Sequence, residues 1–296
     1  MSGDTRFVAI GQAPSLVKVR RETNEDLRRH SLLVGIPAHN EEDRIVDAVR
    51  QARAGLERMG VAGRVVVAAS DCSDRTATRA RRAGASVLQA PRGKGNALRQ
   101  LARNLSEDAM VVVDADPTYF GEVPLVELVA KPVLDGMADA CVADLFWRPI
   151  YPQMWSHGFW GPLTGSLLPE VLMVLGRGAW SGQRAAERRL WKGRYPAGFA
   201  VEVALNVRWG MSGARCVTVP SADWIQPVRP KRLFFRDELR WVINAARVHH
   251  RLRAREQLYG EWLTGVLRYM AKYQHDVTDV AEFERALADH AQRTLP

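Results

Sequence analysis

The sequence predicts an α/β protein in which a mostly parallel sheet is flanked by helices and followed by a helical C-terminal extension. Three observations predict it. Short apolar runs rich in β-branched residues alternate with helical stretches from residue 31 to about residue 145. Polar, acidic or glycine-bearing loops follow those runs, as they do at the C-terminal strand edge where open parallel sheets bind ligands. From 231 to 293 the pattern changes to three charged, amphipathic helices with no internal repeat.

Residues 1–30 mix charges with single apolar positions, so they read as a flexible arm and as neither signal peptide nor membrane span. Residues 31–37 form a first strand, and Asn40-Glu41-Glu42-Asp43 opens an acid-rich helix through Ile45, Val46, Ala48 and Val49. A second strand at 64–69 is followed by the loop Ser70-Asp71-Cys72-Ser73-Asp74 and a helix ended by Gly84. Residues 86–89 form a short strand, and Gly93-Lys94-Gly95 opens a helix through Leu105. The central strand, 109–114, contains Val111-Val112-Val113 and ends in Asp114-Ala115-Asp116-Pro117. A helix near 122–134 and a strand near 139–145 come next. Segment 146–195 then carries five of the nine tryptophans among prolines and glycines, as packing or as the wall of a binding site. Residues 199–209 read as helix and 215–219 as strand.

A composition of 47% hydrophobic and 25% charged residues is that of a folded globular chain. The formal charge of +9, much of it within 231–255, implies anionic company: nucleic acid, phosphorylated metabolites or an acidic membrane surface. Three scattered cysteines, Cys72, Cys141 and Cys216, are too few for a disulfide framework or a zinc site, which points to a reducing, cytoplasmic setting. The apolar run 163–175 is broken by Pro169 and Glu170 and falls short of the roughly 20 residues of a spanning helix.

Four loops carry the chemistry. Asp114 and Asp116 offer hard oxygen ligands for a divalent cation holding phosphates, or a cap for the next helix. Pro37, Ala38, Asn40 and Glu41 end the first strand, where backbone can bracket a flat base and side chains can bond ribose hydroxyls; Asn40 is also a good N-cap. Ser70 and Asp71 end the second strand. Gly93, Lys94 and Gly95 sit at a helix start, which favours phosphate, and packing does not need the Lys94 charge. This is not a Walker A loop, because Leu88 replaces the first glycine and no Ser or Thr follows the lysine. His249 and His250 lie in a basic helical stretch without ligand spacing. Each loop is ambiguous alone, yet all four would face one crevice.

In this order and spacing, Pro37-Ala38-His39-Asn40-Glu41-Glu42, Ser70-Asp71-Cys72-Ser73-Asp74-Arg75-Thr76, Gly93-Lys94-Gly95-Asn96-Ala97-Leu98 and Asp114-Ala115-Asp116 resemble the nucleotide-sugar glycosyltransferases of the GT-A fold, in their family-two-like group, over about 31–120. Farther on, Phe146-Trp147-Arg148-Pro149, Ser181-Gly182-Gln183-Arg184-Ala185 and Gly198-Phe199-Ala200-Val201-Glu202 are similar to the glucosyl-3-phosphoglycerate and mannosylglycerate synthases, which are retaining enzymes. The resemblance implies a Rossmann-like GT-A domain over 31–230, with a nucleotide-sugar half at 31–120, an acceptor half at 121–230 and the helical extension at 231–296.

What the resemblance implies for the site follows residue by residue. Pro37, Ala38, Asn40, Glu41, Ser70, Asp71, Gly93, Lys94, Asp114, Ala115 and Asp116 bind the donor nucleotide, and Arg148 with Ser181 to Arg184 face the acceptor. Ser70 stands where the family has Asp, so the base contact either passes to Asp71 or is lost. Asp223 or Gln226 stands in for the metal-binding His that the retaining relatives carry after the last strand; Asp223, the harder ligand, joins Asp114 and Asp116 as metal candidates for Mg²⁺ or Mn²⁺. Lys94 and Glu202 are the catalytic candidates, Glu202 either as acceptor base or as donor-sugar contact. The expected reaction moves a hexose from a nucleotide diphosphate sugar, UDP-glucose as first choice, to a small polar or anionic acceptor.

Three other functions are open to these residues. An inverting polyprenyl-phosphate glycosyltransferase would use the basic tail and apolar 146–180 region. A nucleotidyltransferase would need a glycine-rich loop with Arg, which 31–42 lacks. A non-catalytic nucleotide- or nucleic-acid-binding protein fits only the net charge, and paired carboxylates repel phosphate unless a cation intervenes, so no nucleic-acid partner is expected. The basic stretch suits peripheral membrane contact, and the C-terminal helices suit a homodimer.

Overall fold

The six apolar runs become strands of one seven-stranded sheet. In a computed structural model the described residues are 30–119, 121–143, 159–176, 179, 181–220, 224–225, 234–249, 256–272 and 278–295. The arm at 1–29, Trp147, Arg148, Trp155, Trp180, Asp223, Gln226 and His250 lie outside them. The strands are β1 (Ser31–Ala38), β2 (Ala62–Ser70), β3 (Ser86–Ala90), β4 (Ala109–Val112), β6 (Ala140–Ala143), β7 (Arg184–Glu187) and β8 (Cys216–Val219), in the order β3-β2-β1-β4-β7-β6-β8. A separate two-stranded pair joins β5 (Thr118–Tyr119) to β9 (Trp224–Ile225).

The expected parallel pairings form, β1 lying between β2 and β4 with Gly35 opposite Val66 and Val112. The exception is β7, which runs antiparallel between β4 and β6. The segment Ser181-Gly182-Gln183-Arg184-Ala185, read from sequence as an acceptor turn, is half turn and half strand. Its four-residue strand lacks the alternation or β-branched run that marks a strand in sequence. The central strand ends at Val112, two residues before its expected end, and Val113 still bonds Gly35.

Helices α1 (Ile45–Met59), α2 (Thr76–Arg82) and α4 (Leu125–Leu134) pack on one sheet face, against Leu32, Val34, Ile36, Val67 and Val111. The opposite face, with Leu33, Val66, Met110 and Val142, is covered by α3 (Lys94–Arg103), α5 (Trp160–Leu167), α6 (Pro169–Leu175) and α7 (Val201–Met211). The alternation of adjacent residues between faces is the two-residue period of a strand buried on both sides. The extension, α8 (Phe234–Val248), α9 (Glu256–Lys272) and α10 (Val280–Thr294), joins this second core through Leu239, Val242, Trp262, Val266 and Leu287. These apolar residues are thus covered by the chain itself, whereas Val248 and Leu258 stay exposed. Among the described residues no helix is long and apolar enough to cross a membrane, and Cys72, Cys141 and Cys216 are free.

The two sheet edges differ in chemistry. At the edge where β1 and β4 begin, carboxylates tie strand starts together: Asp108 accepts from the Ser31 amide and hydroxyl at 2.9 and 2.8 Å, and Glu107 pairs with Arg64 at 2.5 Å. Asp139, beside the starts of β6 and β8, accepts from the Arg215 amide at 2.9 Å and pairs with the Arg215 and Arg189 guanidiniums. The opposite edge is left for the functional loops.

Candidate active site

At the C-terminal strand edge the first two loops are laced together. Asn40 Oδ1 accepts from the Ser73 amide at 2.9 Å, the Glu41 amide donates to Thr76 Oγ1 at 2.8 Å, and the Glu42 amide donates to Asp74 Oδ2 at 3.0 Å. Asn40 therefore bridges to the neighbouring loop rather than capping α1, which begins at Ile45 without a side-chain cap. Asn40 and Asp71 have φ values of 55° and 51°. Two non-glycine residues in this sparsely populated region, at equivalent strand ends, fit a loop pair held in shape for a ligand.

The third loop is held by Ser70. Its hydroxyl donates to the Pro91 carbonyl at 2.8 Å and accepts from the Gly93 amide at 2.9 Å. Ser70 is buried, so it positions the Gly-Lys-Gly turn and has no face to offer a nucleotide base. The glycines have a packing reason as well: a Cβ on Gly95 would lie 1.7 Å from the Pro196 carbonyl oxygen. The Asn96 amide donates to the Ala197 carbonyl at 3.1 Å, so the turn is clasped by the segment leading into α7.

Lys94 points inward to two carboxylates, 2.7 Å from Asp114 Oδ1 and 2.5 Å from Glu202 Oε1, with its side chain 9% exposed. Burial would lower its ammonium, but Asp114 and Glu202 outweigh that and hold it above its ordinary range. Burial pushes the Asp114 carboxyl up; Lys94 opposes this, and Asp116 and Glu202 reinforce it. The expectation that packing does not need the Lys94 charge is therefore overturned: the ammonium compensates two carboxylates inside the protein.

Asp114 is oriented further by Gln183. Gln183 Nε2 donates to Asp114 Oδ2 at 3.1 Å, while Gln183 Oε1 accepts from the Asp114 amide at 2.8 Å. A Cβ on Gly182 would fall 2.2 Å from Asp114 Oδ2 and 2.4 Å from Lys94 Nζ, so only glycine lets this turn close over the pair. Arg184 is 1% exposed; its guanidinium donates to the Ser181 carbonyl at 3.0 and 2.5 Å and to Asn206 Oδ1 at 3.1 Å, and lies 5.4 Å from the Trp209 ring. Gln183 and Arg184, expected at the acceptor, use their polar atoms inside the protein because β7 is an interior strand.

The residues present fit a divalent cation. Asp114, Asp116 and Glu202 gather carboxylates around Lys94, and all their donors are hard oxygens. Both Asp114 oxygens are engaged by Lys94 and Gln183. Arg44 steadies that loop, its Nη1 donating to the Asp116 carbonyl at 2.6 Å. Among the described residues no three His, Cys, Asp or Glu side chains form a ready metal group.

The family model for glycosyl transferase family 2 matches residues 33–190, more than half of the chain. The chain belongs to that family. This glycosyltransferase is similar in structure to glucosyl-3-phosphoglycerate synthase from Mycobacterium tuberculosis in complex with Mn²⁺, UDP-glucose and phosphoglyceric acid, with 23% identity, a TM-score of 0.61 and coverage of 76% of this chain and 84% of the other. A complex of the same enzyme with Mn²⁺, UDP and glucosyl-3-phosphoglycerate gives 21% identity, a TM-score of 0.62 and coverage of 81% and 88%. Its complex with Mg²⁺ and UDP gives 24%, 0.61, and coverage of 78% and 84%. No curated protein matches the chain. The GT-A-like α/β fold expected from the loops is the fold observed.

Within this glycosyltransferase, Lys94, Asp114, Gln183 and Glu202 meet, whereas Asn40, Glu41 and Asp71 stand on the adjacent strand ends. Sequence reasoning missed three positioning groups. Arg44 carries no local signal, and Thr76 reads as an ordinary helix start. His39 was inside a recognised motif without a role; its Nδ1 lies 2.6 Å from the Ser70 carbonyl oxygen and couples the first two strand ends.

Proposed function

We propose that this glycosyltransferase moves glucose from UDP-glucose to a small polar or anionic acceptor with retention, using Mg²⁺ or Mn²⁺. The observation that carries the reading is the Lys94 bridge between Asp114 and Glu202. An ammonium has three donors; two meet carboxylates, and the third is left for an oxygen of the donor diphosphate. The bound ligands of the mycobacterial enzyme support this choice of donor and cation.

Each residue then has a defined task. Asn40, Glu41 and Asp71 receive the nucleoside at the strand ends, with Pro37 and Ala38 bracketing the base. Asp116, with Asp223 as its expected companion, would hold the cation, which supplies positive charge to the departing diphosphate. Lys94 adds a fixed positive charge on the protein side, and Asp114, oriented by Gln183, aligns that lysine. Glu202 is already committed to Lys94 through Oε1, an arrangement that suits a carboxylate orienting the donor sugar better than one taking a proton from the acceptor. The acceptor enters beside Ser181 and Gly182, with Arg148 contributing charge.

The deciding experiment combines calorimetry with a transfer assay. UDP should bind the parent in Mn²⁺ and lose its cation-dependent part in Asp116→Ala, and labelled UDP-glucose should yield a water-soluble glycoside from a panel of phosphorylated and polyhydroxylated acceptors. Equal UDP binding by parent and variant removes Asp116 from the cation site. Label that extracts into organic solvent with polyprenyl phosphate overturns the small-acceptor reading.

A further inference from the structure

A second cavity, of about 470 Å³, lies along α3 on the flank away from Lys94. It is lined by Arg99, Arg103, Lys192 and Arg194, with the buried Trp191 and Tyr195 behind them. Arg99 and Arg103 stand five and nine residues beyond Lys94, about 7–14 Å farther along the helix axis and toward the strand-start edge of the sheet.

The cavity is built rather than a chance gathering of surface charge. Arg208, on α7, donates to the carbonyls of Lys192 and Arg194 at 2.9 and 2.5 Å, and its guanidinium lies 5.1 Å from the Tyr195 ring. Arg99 donates to the Tyr195 carbonyl at 2.6 Å and to Asn96 Oδ1 at 3.0 Å. The Tyr195 hydroxyl donates to the Trp191 carbonyl, and Trp191 Nε1 donates to the Ala186 carbonyl at 3.0 Å. These bonds fix the backbone that presents the basic side chains. Among the described residues none of Arg99, Arg103, Lys192 and Arg194 has a carboxylate within ion-pair distance, whereas Arg64, Arg189 and Arg215 at this edge are each paired with one.

Four cationic side chains without counter-charges around a concave space of small-ligand size supply the charge and the room that a multiply charged anion needs. We propose that this cavity is a second ligand site, distinct from the donor site, that binds a small polyphosphorylated molecule through Arg99, Arg103, Lys192 and Arg194. Its volume suits a small molecule, and its concavity disfavours a flat macromolecular contact.

Inorganic tripolyphosphate, titrated calorimetrically into the full chain without divalent cation, tests this. Under that condition the carboxylate-rich donor site repels an anion. The parent should bind with unit stoichiometry. The double variant Arg103→Ala/Lys192→Ala, at two exposed positions, should bind at least about tenfold more weakly while melting within a few degrees of the parent and retaining Mn²⁺-dependent UDP binding. Asp116→Ala should bind tripolyphosphate as the parent does. No binding by the parent, equal binding by the double variant, or parallel loss of UDP binding would each overturn the second site. Loss of UDP binding in Asp116→Ala bears only on the donor site.

Discussion

Lys94 is where charge, packing and chemistry meet. Truncating one partner of a buried ion pair leaves the others uncompensated, typically at a cost of about 3–5 kcal/mol, and Lys94 has two such partners within 2.7 Å. Lys94→Ala should therefore lower the unfolding free energy by about that amount, read by urea denaturation, as well as weaken UDP binding in Mn²⁺. Unchanged stability would mean that the ammonium does not hold the two carboxylates together. Glu202→Gln tests the other end of the bridge. It keeps the shape and removes the charge, so turnover should fall by about 10²–10³-fold while UDP affinity stays as in the parent. Donor hydrolysis without acceptor should decline in parallel; its survival would make Glu202 a base for the acceptor instead.

At the scale of elements, the site is made by loops approaching so closely that Cβ atoms are excluded. Gly95→Ala places a methyl 1.7 Å from the Pro196 carbonyl oxygen, and backbone there cannot yield without shifting the segment that leads into α7. Gly198 lies in the same segment, and a Cβ on it meets nothing within 4 Å. Gly95→Ala should lower the melting temperature and displace Lys94 from Glu202, with loss of transfer activity, whereas Gly198→Ala should behave as the parent in both measurements. Similar behaviour of the two variants would show that the clasp between the Gly-Lys-Gly turn and residues 196–197 does not shape the site.

For the whole molecule, the acid dependence of stability rests mainly on carboxylates at the strand-start edge of the sheet. The Asp108 carboxyl is held below its ordinary 3.8 first by the Ser31 amide and hydroxyl. Burial would raise Glu107 and Asp139, but Arg64 outweighs it at Glu107 and Arg215 at Asp139, holding them below 4.5 and 3.8. Such carboxyls contribute stability that is complete above the unfolded value and is lost as pH falls through the lower folded value. The urea midpoint should accordingly stay level from neutral pH to about pH 5 and drop below about pH 4, with Asp114, shifted upward, offsetting part of the loss. Asp139→Asn should reduce that acid dependence and cost about 1–3 kcal/mol at neutral pH, since it weakens charged hydrogen bonds. A midpoint independent of pH between 3 and 5 would contradict this assignment of the stabilising carboxylates.

Local order was legible in the residues. The buried runs around Val34, Val66 and Val111, the loops after them and the helices between them follow from short-range periodicity and turn chemistry, which depend on neighbours in the chain. The four loops likewise announced a nucleotide-sugar glycosyltransferase, because each lies within a few residues of the strand that positions it. Only the tertiary structure decided that Lys94 meets Glu202, 108 residues away, and that Gln183 aligns Asp114 across 69 residues. The second contact depends on β7 entering the sheet antiparallel between β4 and β6. Arg184-Ala185-Ala186-Glu187 has little strand character of its own; it is a strand because Asn206, Trp209 and the Ser181 carbonyl bury its arginine and two strands supply its backbone partners. Long-range partners of this kind leave no periodic trace in sequence, which is why the Ser181–Ala185 segment was visible as a motif while its role as the brace of Asp114 was not.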